Sequence, residues 1–157
     1  MMGPIEACNY YICQLLTSGS APSVSGSITV IPISGSVYPY HEVADLLTDS
    51  ISVWSRASAG GSESAFNVGN RCISHKIIAT IRYHSGYDIG PINPSLMAQR
   101  MDSIFTLIYE HSLLNNKEFS LQGDYELNMS GYFAESKTRG AELTVMYRKH
   151  SVYPLAK

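Results

Sequence analysis

From Ile73 to His84 the chain alternates. Ile73, His75, Ile77, Ala79, Ile81 and Tyr83 fall on one side of an extended backbone, and Ser74, Lys76, Thr80 and Arg82 on the other. Only Ile78 breaks the pattern. Successive strand side chains point to opposite faces, so this run predicts a strand with one buried face and one wet or interfacial face. Such a strand needs an apolar element to cover it, and the next segment supplies one. Gly86 to Pro91 is turn chemistry, and Asn93 can cap a helix whose first residue is Pro94. That helix is predicted to run to about Leu113, with Met97, Met101, Ile104, Phe105 and Ile108 on its apolar stripe and Asn115-Asn116 ending it.

The flanking elements fit the same scheme. Pro4 to Thr17 reads as a first helix, because Ile5, Cys8, Ile12 and Leu15 or Leu16 recur at helical spacing and Gly19 can stop it. Residues 18–27 form a Ser/Pro/Gly connector. Two short extended pieces, Ser27 to Ile33 and Ser36 to Tyr40, are interrupted by Pro32 and Pro39, which confines them to edge or irregular strands. Ser50 to Ser55 alternates, with Ile51 and Val53 opposite Ser50, Ser52 and Trp54. Residues 56–70 show little periodicity and read as a long mobile loop, a length that in compact domains accompanies function or disorder. Tyr125 to Phe133 and Ala141 to His150 read as an antiparallel pair joined by a polar turn, Glu135 to Gly140. The expected architecture is one α+β domain over residues 1–157, a mostly antiparallel sheet flanked by two main helices.

Composition removes several function classes. Of the 157 residues 45% are hydrophobic and 15% charged, a globular balance. No apolar run reaches the ~18 residues of a membrane span, and the first residues carry neither a basic stretch nor an apolar core of the secretory kind. No membrane partner is therefore expected. Cys8, Cys13 and Cys72 are odd in number and lack zinc-type spacing, which predicts reduced, buried thiols. Net charge is −2, but its placement is uneven. Glu6, Glu42, Asp45 and Asp49 precede the first basic residue, Arg56, while Lys137, Arg139, Arg148, Lys149 and Lys157 face only Glu142 at the far end. An acidic front and a basic tail are compatible with copies attracting one another, and equally with two ends that neighbour each other in one fold.

Catalytic constellations are scarce. His75 falls on the apolar side of the long strand, where a lone histidine is most often a satisfied core residue. His84 and Asp88 stand four apart across a turn and read as a surface pair; with a third group they would make a small enzyme site. No histidine pair has the spacing of a metalloprotease helix, no serine sits in a nucleophile elbow, and Gly60-Gly61 fits neither phosphate-binding glycine pattern. No cofactor and no metal is expected, and the chain is not expected to be an enzyme. Lys76 with Arg82, and Arg148-Lys149-His150, offer a basis for a nucleic-acid-binding module, though without the interleaved exposed aromatics of an RNA-reading sheet.

The order of elements is the feature with the widest reach. An amphipathic helix is followed by irregular strands and a hairpin with a long Gly/Ser-rich loop, from Ile51–Trp54 to Ile73–Tyr83. One long helix comes next, then a closing strand pair ending Ala141-Glu142-Leu143-Thr144-Val145-Met146-Tyr147. This resembles the tail terminator (tail completion) proteins of long-tailed bacteriophages, in element order and lengths over most of the chain. The resemblance implies a structural virion protein, assembled in the host cytoplasm. Its homo-hexameric ring would cap the head-proximal end of the tail tube, docking the tail-tube protein on one face and the head-completion or neck protein on the other. DNA could pass non-specifically through the lumen of such a ring. A neck or head-completion (connector) ring of the same particle is the nearest alternative. The candidate partner or ring interface comprises Trp54, Arg56, Glu63, Phe66, Arg71, Lys76, Arg82, Lys137, Arg139 and Arg148. Trp54 and Phe66 would be its aromatic anchors, the side-chain type enriched at interface centres.

Overall fold

The computed structural model describes residues 3–18, 29–33, 50–57, 62–67, 70–87, 94–133 and 138–154. In chain order these form α1 (Pro4–Ser18), β1 (Thr29–Ile33), β2 (Ser50–Ala57), β3 (Ser62–Asn67) and β4 (Asn70–Tyr87). Then come α2 (Pro94–Glu110), β5 (Leu113–Leu114), β6 (Phe119–Phe133) and β7 (Thr138–Pro154). The fold is α+β, with all strands in one sheet of order β1-β2-β4-β7-β6-β5. β3 lies beside the first residues of β4, on the edge that β2 occupies further along. Every pairing is antiparallel except β1 with β2. No described helix is long and apolar enough to cross a membrane.

The period-two reading of β4 fixes the core. Ile77, Ala79, Ile81 and Tyr83 are buried beside Tyr147, Val145, Leu143 and Ala141 of β7, their register partners, and beside Ile51 and Val53 of β2. Both helices cover this face. α1 contributes Cys8, Ile12 and Leu16, and α2 contributes Met97, Met101, Ile104, Leu107 and Ile108. The helical spacings predicted these stripes, with Leu107 added, Ile5 left only partly buried outside the core, and Phe105 moved to the rim, where it stacks on Tyr109 at 4.4 Å between centroids. At the start of α1, the Ala7 amide donates to the Gly3 carbonyl at 2.9 Å, and Pro4 occupies a first-turn position where it forfeits no helical bond. A buried hydrogen bond from Ser55 Oγ to Asn9 Oδ1, 3.0 Å, ties α1 to β2. Cys8 and Cys13 are buried as expected, and desolvation pushes both thiols up to about 12. Cys72 differs: it is only partly buried, near the start of β4.

Several boundaries need correction. Residues 56–70 are not one loop: β2 runs to Ala57, Ser62–Asn67 is a strand, and β4 begins at Asn70. The Ser-Glu-Ser-Ala-Phe-Asn segment has little intrinsic strand preference, so its conformation comes from pairing with β4, an effect no local window contains. β4 likewise extends to Tyr87, through what reads as turn chemistry. α2 stops at Glu110 rather than Leu113, because Leu113 and Leu114 pair with Ser120 and Phe119. The reversal is made by Asn115, Asn116 and Lys117, all at positive φ (48°, 54° and 69°), a conformation asparagine tolerates better than most residues. β6 starts at Phe119, earlier than the alternation shows, since a bulge between Leu121 and Tyr125 interrupts the pattern at Gln122-Gly123-Asp124. β7 starts at Thr138, inside the expected turn. The 18–27 connector (Ser18, the last residue of α1, excepted) and the expected Ser36–Tyr40 strand lie outside the described residues, as does Asp88.

Candidate functional site

The sheet face away from the helices carries the even-numbered residues of β2, β4 and β7, and register arranges them in rows. One row is Ser52, Arg82, Glu142 and Asn128; the next is Trp54, Thr80, Thr144 and Glu126. Then come Arg56, Ile78 and Met146, followed by Lys76, Arg148 and Ser120. Of the residues anticipated as an interface, Trp54, Arg56, Lys76, Arg82 and Arg148 thus share one face. Arg71 is also on β4 but of the opposite parity, so its strand position belongs to the other face, opposite Tyr153. Glu63, Phe66 and Arg139 are located by backbone register only: Glu63 opposite Ile73, Phe66 opposite Arg71, Arg139 opposite Tyr132. Glu63 and Phe66 sit in β3, not in a loop. Lys137 lies outside the described residues.

Electrostatics divide this face in two. At one end Arg82 forms an ion pair with its register partner Glu142. Beside them Ser52 Oγ and His84 Nε2 hydrogen-bond at 2.8 Å, both residues fully buried. His84 is therefore not the surface residue its neighbourhood of turn-forming residues suggested. Burial, and secondarily the Arg82 cation, lower its pKa from 6.5 to about 4, so the imidazole is neutral at physiological pH. A serine beside a histidine invites comparison with a nucleophile and its base, but neither side chain of this pair reaches solvent. Their contact joins β2 to β4 across the face. At the other end Arg56 stands over the half-buried Trp54 ring at 6.0 Å, a cation–π distance, and Lys76 faces Arg148 directly across the ladder. Between the two ends, Ile78, Thr144 and Met146 meet Asp124, Tyr125 and Glu126 around a shallow groove of ≈ 230 Å³.

The outer edge of β6 is a second feature. β5 pairs only with Phe119 and Ser120, so among the described residues no strand covers β6 from Gln122 to Phe133. Three large apolar side chains stand exposed along it, Tyr125 (53%), Leu127 (41%) and Met129 (37%). Tyr125 packs edge-on to Phe105 and Tyr109 at the rim of α2, with centroids 5.0 and 6.0 Å apart. These residues were not among the anticipated interface positions. Their signal was the spacing Tyr-Glu-Leu-Asn-Met, apolar at alternate positions, on a strand that no other described strand covers there.

Residues Lys149 to Tyr153 of β7 share a cleft with Glu118 and with Gly3 and Pro4 at the start of α1. There Lys149 pairs with Glu118 at 2.5 Å, which holds that carboxyl below its ordinary range, and His75 Nε2 bonds Tyr153 Oη at 2.9 Å. His75 is thus partnered as expected, though at a half-exposed position rather than in the core. Among the described residues no group of His, Cys, Asp and Glu side chains converges as a metal site would require. No protein-family model and no curated protein matches the sequence.

Proposed function

We propose that the protein is a structural component of a long-tailed bacteriophage particle, a tail terminator whose copies form a ring on the head-proximal end of the tail tube. It acts by shape and contact and turns over no substrate. Its partners are further copies of itself, the tail-tube protein and the head-completion or neck protein, and its place is the virion. One observation carries the reading. Among the described residues β6 has an uncovered backbone edge beside exposed Tyr125, Leu127 and Met129, the combination that strand addition by another chain satisfies. The element order resembling terminators supports it, and the Trp54–Arg56 pair on the opposite face offers a separate contact surface.

Light scattering on the purified chain, alone and with tail-tube protein, tests this. Rings or tube-bound rings are expected in at least one condition. A strict monomer in both overturns the reading. Hydrogen exchange adds the location: the amides of Gln122 to Phe133 become protected on assembly, and unchanged exchange there removes the β6 edge from the account.

A further inference from the structure

Lys76 and Arg148 form a directly opposed pair of like charges on the face away from the helices. Cross-strand side chains in this relation have Cβ atoms about 5 Å apart, where like charges destabilise the sheet. Among the described residues neither forms an ion pair, although Arg82 and Lys149 both find carboxylates. The carboxylates nearest on this face, Asp124 and Glu126, line the groove around Ile78 and Met146, and on the side away from that groove the neighbour is a donor. Ser74, one pleat from Lys76 and diagonal to Arg148, is 2% exposed, and its hydroxyl has no hydrogen-bond partner. Arg148 Nε is likewise buried and unpartnered. Arg56 continues the positive charge onto the next strand, diagonal to Lys76 through its register with Ile78. Two cations, one of them with a buried unpartnered N–H, and a buried hydroxyl, none of them paired with a carboxylate among the described residues, have the composition of an anion site.

We infer that Ser74, Lys76 and Arg148 bind a phosphoryl group, with Arg56 placed to meet a second one along a chain. Three separate donors match the several oxygens of a tetrahedral phosphate better than a planar carboxylate, and two cations match its charge. The inference is independent of how copies assemble. Two sources share this chemistry, a free phosphate and the backbone of a polynucleotide. Arg56 separates them, since only a repeating polyanion reaches it.

The test is anisotropy of a labelled oligothymidylate, chosen because its backbone is read without base specificity, on the full chain at low salt. Competition by inorganic phosphate, pyrophosphate and polyglutamate follows. Binding is expected, with phosphate competing, polyglutamate not competing at equal charge, and a salt slope of about −1.4 (roughly 0.7 for each of the two phosphates). Arg148→Gln should lower affinity about tenfold and flatten the slope by about 0.7. Arg56→Gln should weaken the oligonucleotide while leaving phosphate affinity unchanged. Ser74→Ala should weaken phosphate without altering the slope. Lys76→Glu guards against a variant that merely unfolds, because Glu would pair with Arg148: binding should vanish while Tm rises by about 2 °C. Phosphate binding without oligonucleotide binding assigns the site to free phosphate. Binding of polyglutamate in preference to both, binding of none, or full affinity in Lys76→Glu overturns the inference.

Discussion

His84 shows how a single buried base couples the fold to pH. In the folded protein its pKa is about 4, against 6.5 for an ordinary histidine, because its site excludes water and lies near Arg82. Between these values the unfolded chain binds a proton that the folded chain refuses, so stability falls as pH drops from about 6.5 to about 4 and is unaffected by this group above that window. The difference is about 3 kcal/mol in total. Urea unfolding from pH 7 to pH 4.5 should show this loss in the natural chain and not in His84→Gln, which keeps a hydrogen-bonding group for Ser52. Parallel profiles would refute a neutral buried imidazole. Gly140 is a second residue whose role is set by contact. A Cβ there would stand 1.7 Å from the Tyr83 carbonyl oxygen, where β7 passes between β4 and β6 beside a bulge. Gly140→Ala should cost about 3 kcal/mol, the upper end of overpacking penalties, read as a lower urea midpoint. Neither role was legible in the sequence. His84 precedes Ser-Gly and looked like the rim of a turn, and Gly140 looked like an ordinary turn glycine; both depend on which strand lies alongside.

The elements that declared themselves are those whose partners lie within their own pattern. β4 alternates, α1 and α2 carry apolar stripes, and each was placed with nearly the right face because burial on one side is written into its spacing. β3 and the start of β6 did not. β3 is held by the register of β4, and β6 changes phase at its bulge, so local composition misdescribes both. The interface anticipated on this face was half legible for the same reason. Arg56, Lys76, Arg82 and Arg148 lie on regular strands and converge, whereas Tyr125, Leu127 and Met129 matter because no described strand pairs beyond them. The tie between α1 and β2 gives a prediction at this scale. Ser55 donates to Asn9 in a dry site, so Asn9→Ala strands the hydroxyl and Ser55→Ala strands the amide. Each should lower stability by about 1–2 kcal/mol, and the double variant by less than their sum, as a double-mutant cycle in urea would show. Additivity would mean the two groups do not share the bond.

At the scale of the whole molecule two forces compete to explain assembly, and salt separates them. The uneven charge of the sequence suggested one subunit's acidic start meeting another's basic end. Part of that basic end is already occupied within the chain: Lys149 pairs with Glu118, and both line the same cleft as Gly3 and Pro4 at the start of α1. The β6 edge offers a different bond, backbone hydrogen bonds reinforced by apolar burial at Tyr125, Leu127 and Met129, with Asp124 and Glu126 the charges on the strand itself. At about 1 M salt the screening length falls to about 3 Å, which removes attraction between exposed charges but leaves strand pairing and apolar contact intact. Assembly through β6 should therefore survive transfer from low salt to about 1 M sodium chloride, and Leu127→Lys should abolish it while leaving the monomer's Tm within about 2 °C, since that side chain is 41% exposed in the free chain. Sedimentation velocity on both proteins at both salt concentrations measures this. Dissociation by salt, with Leu127→Lys still assembling, would assign the contact to the charged ends and take the β6 edge out of it.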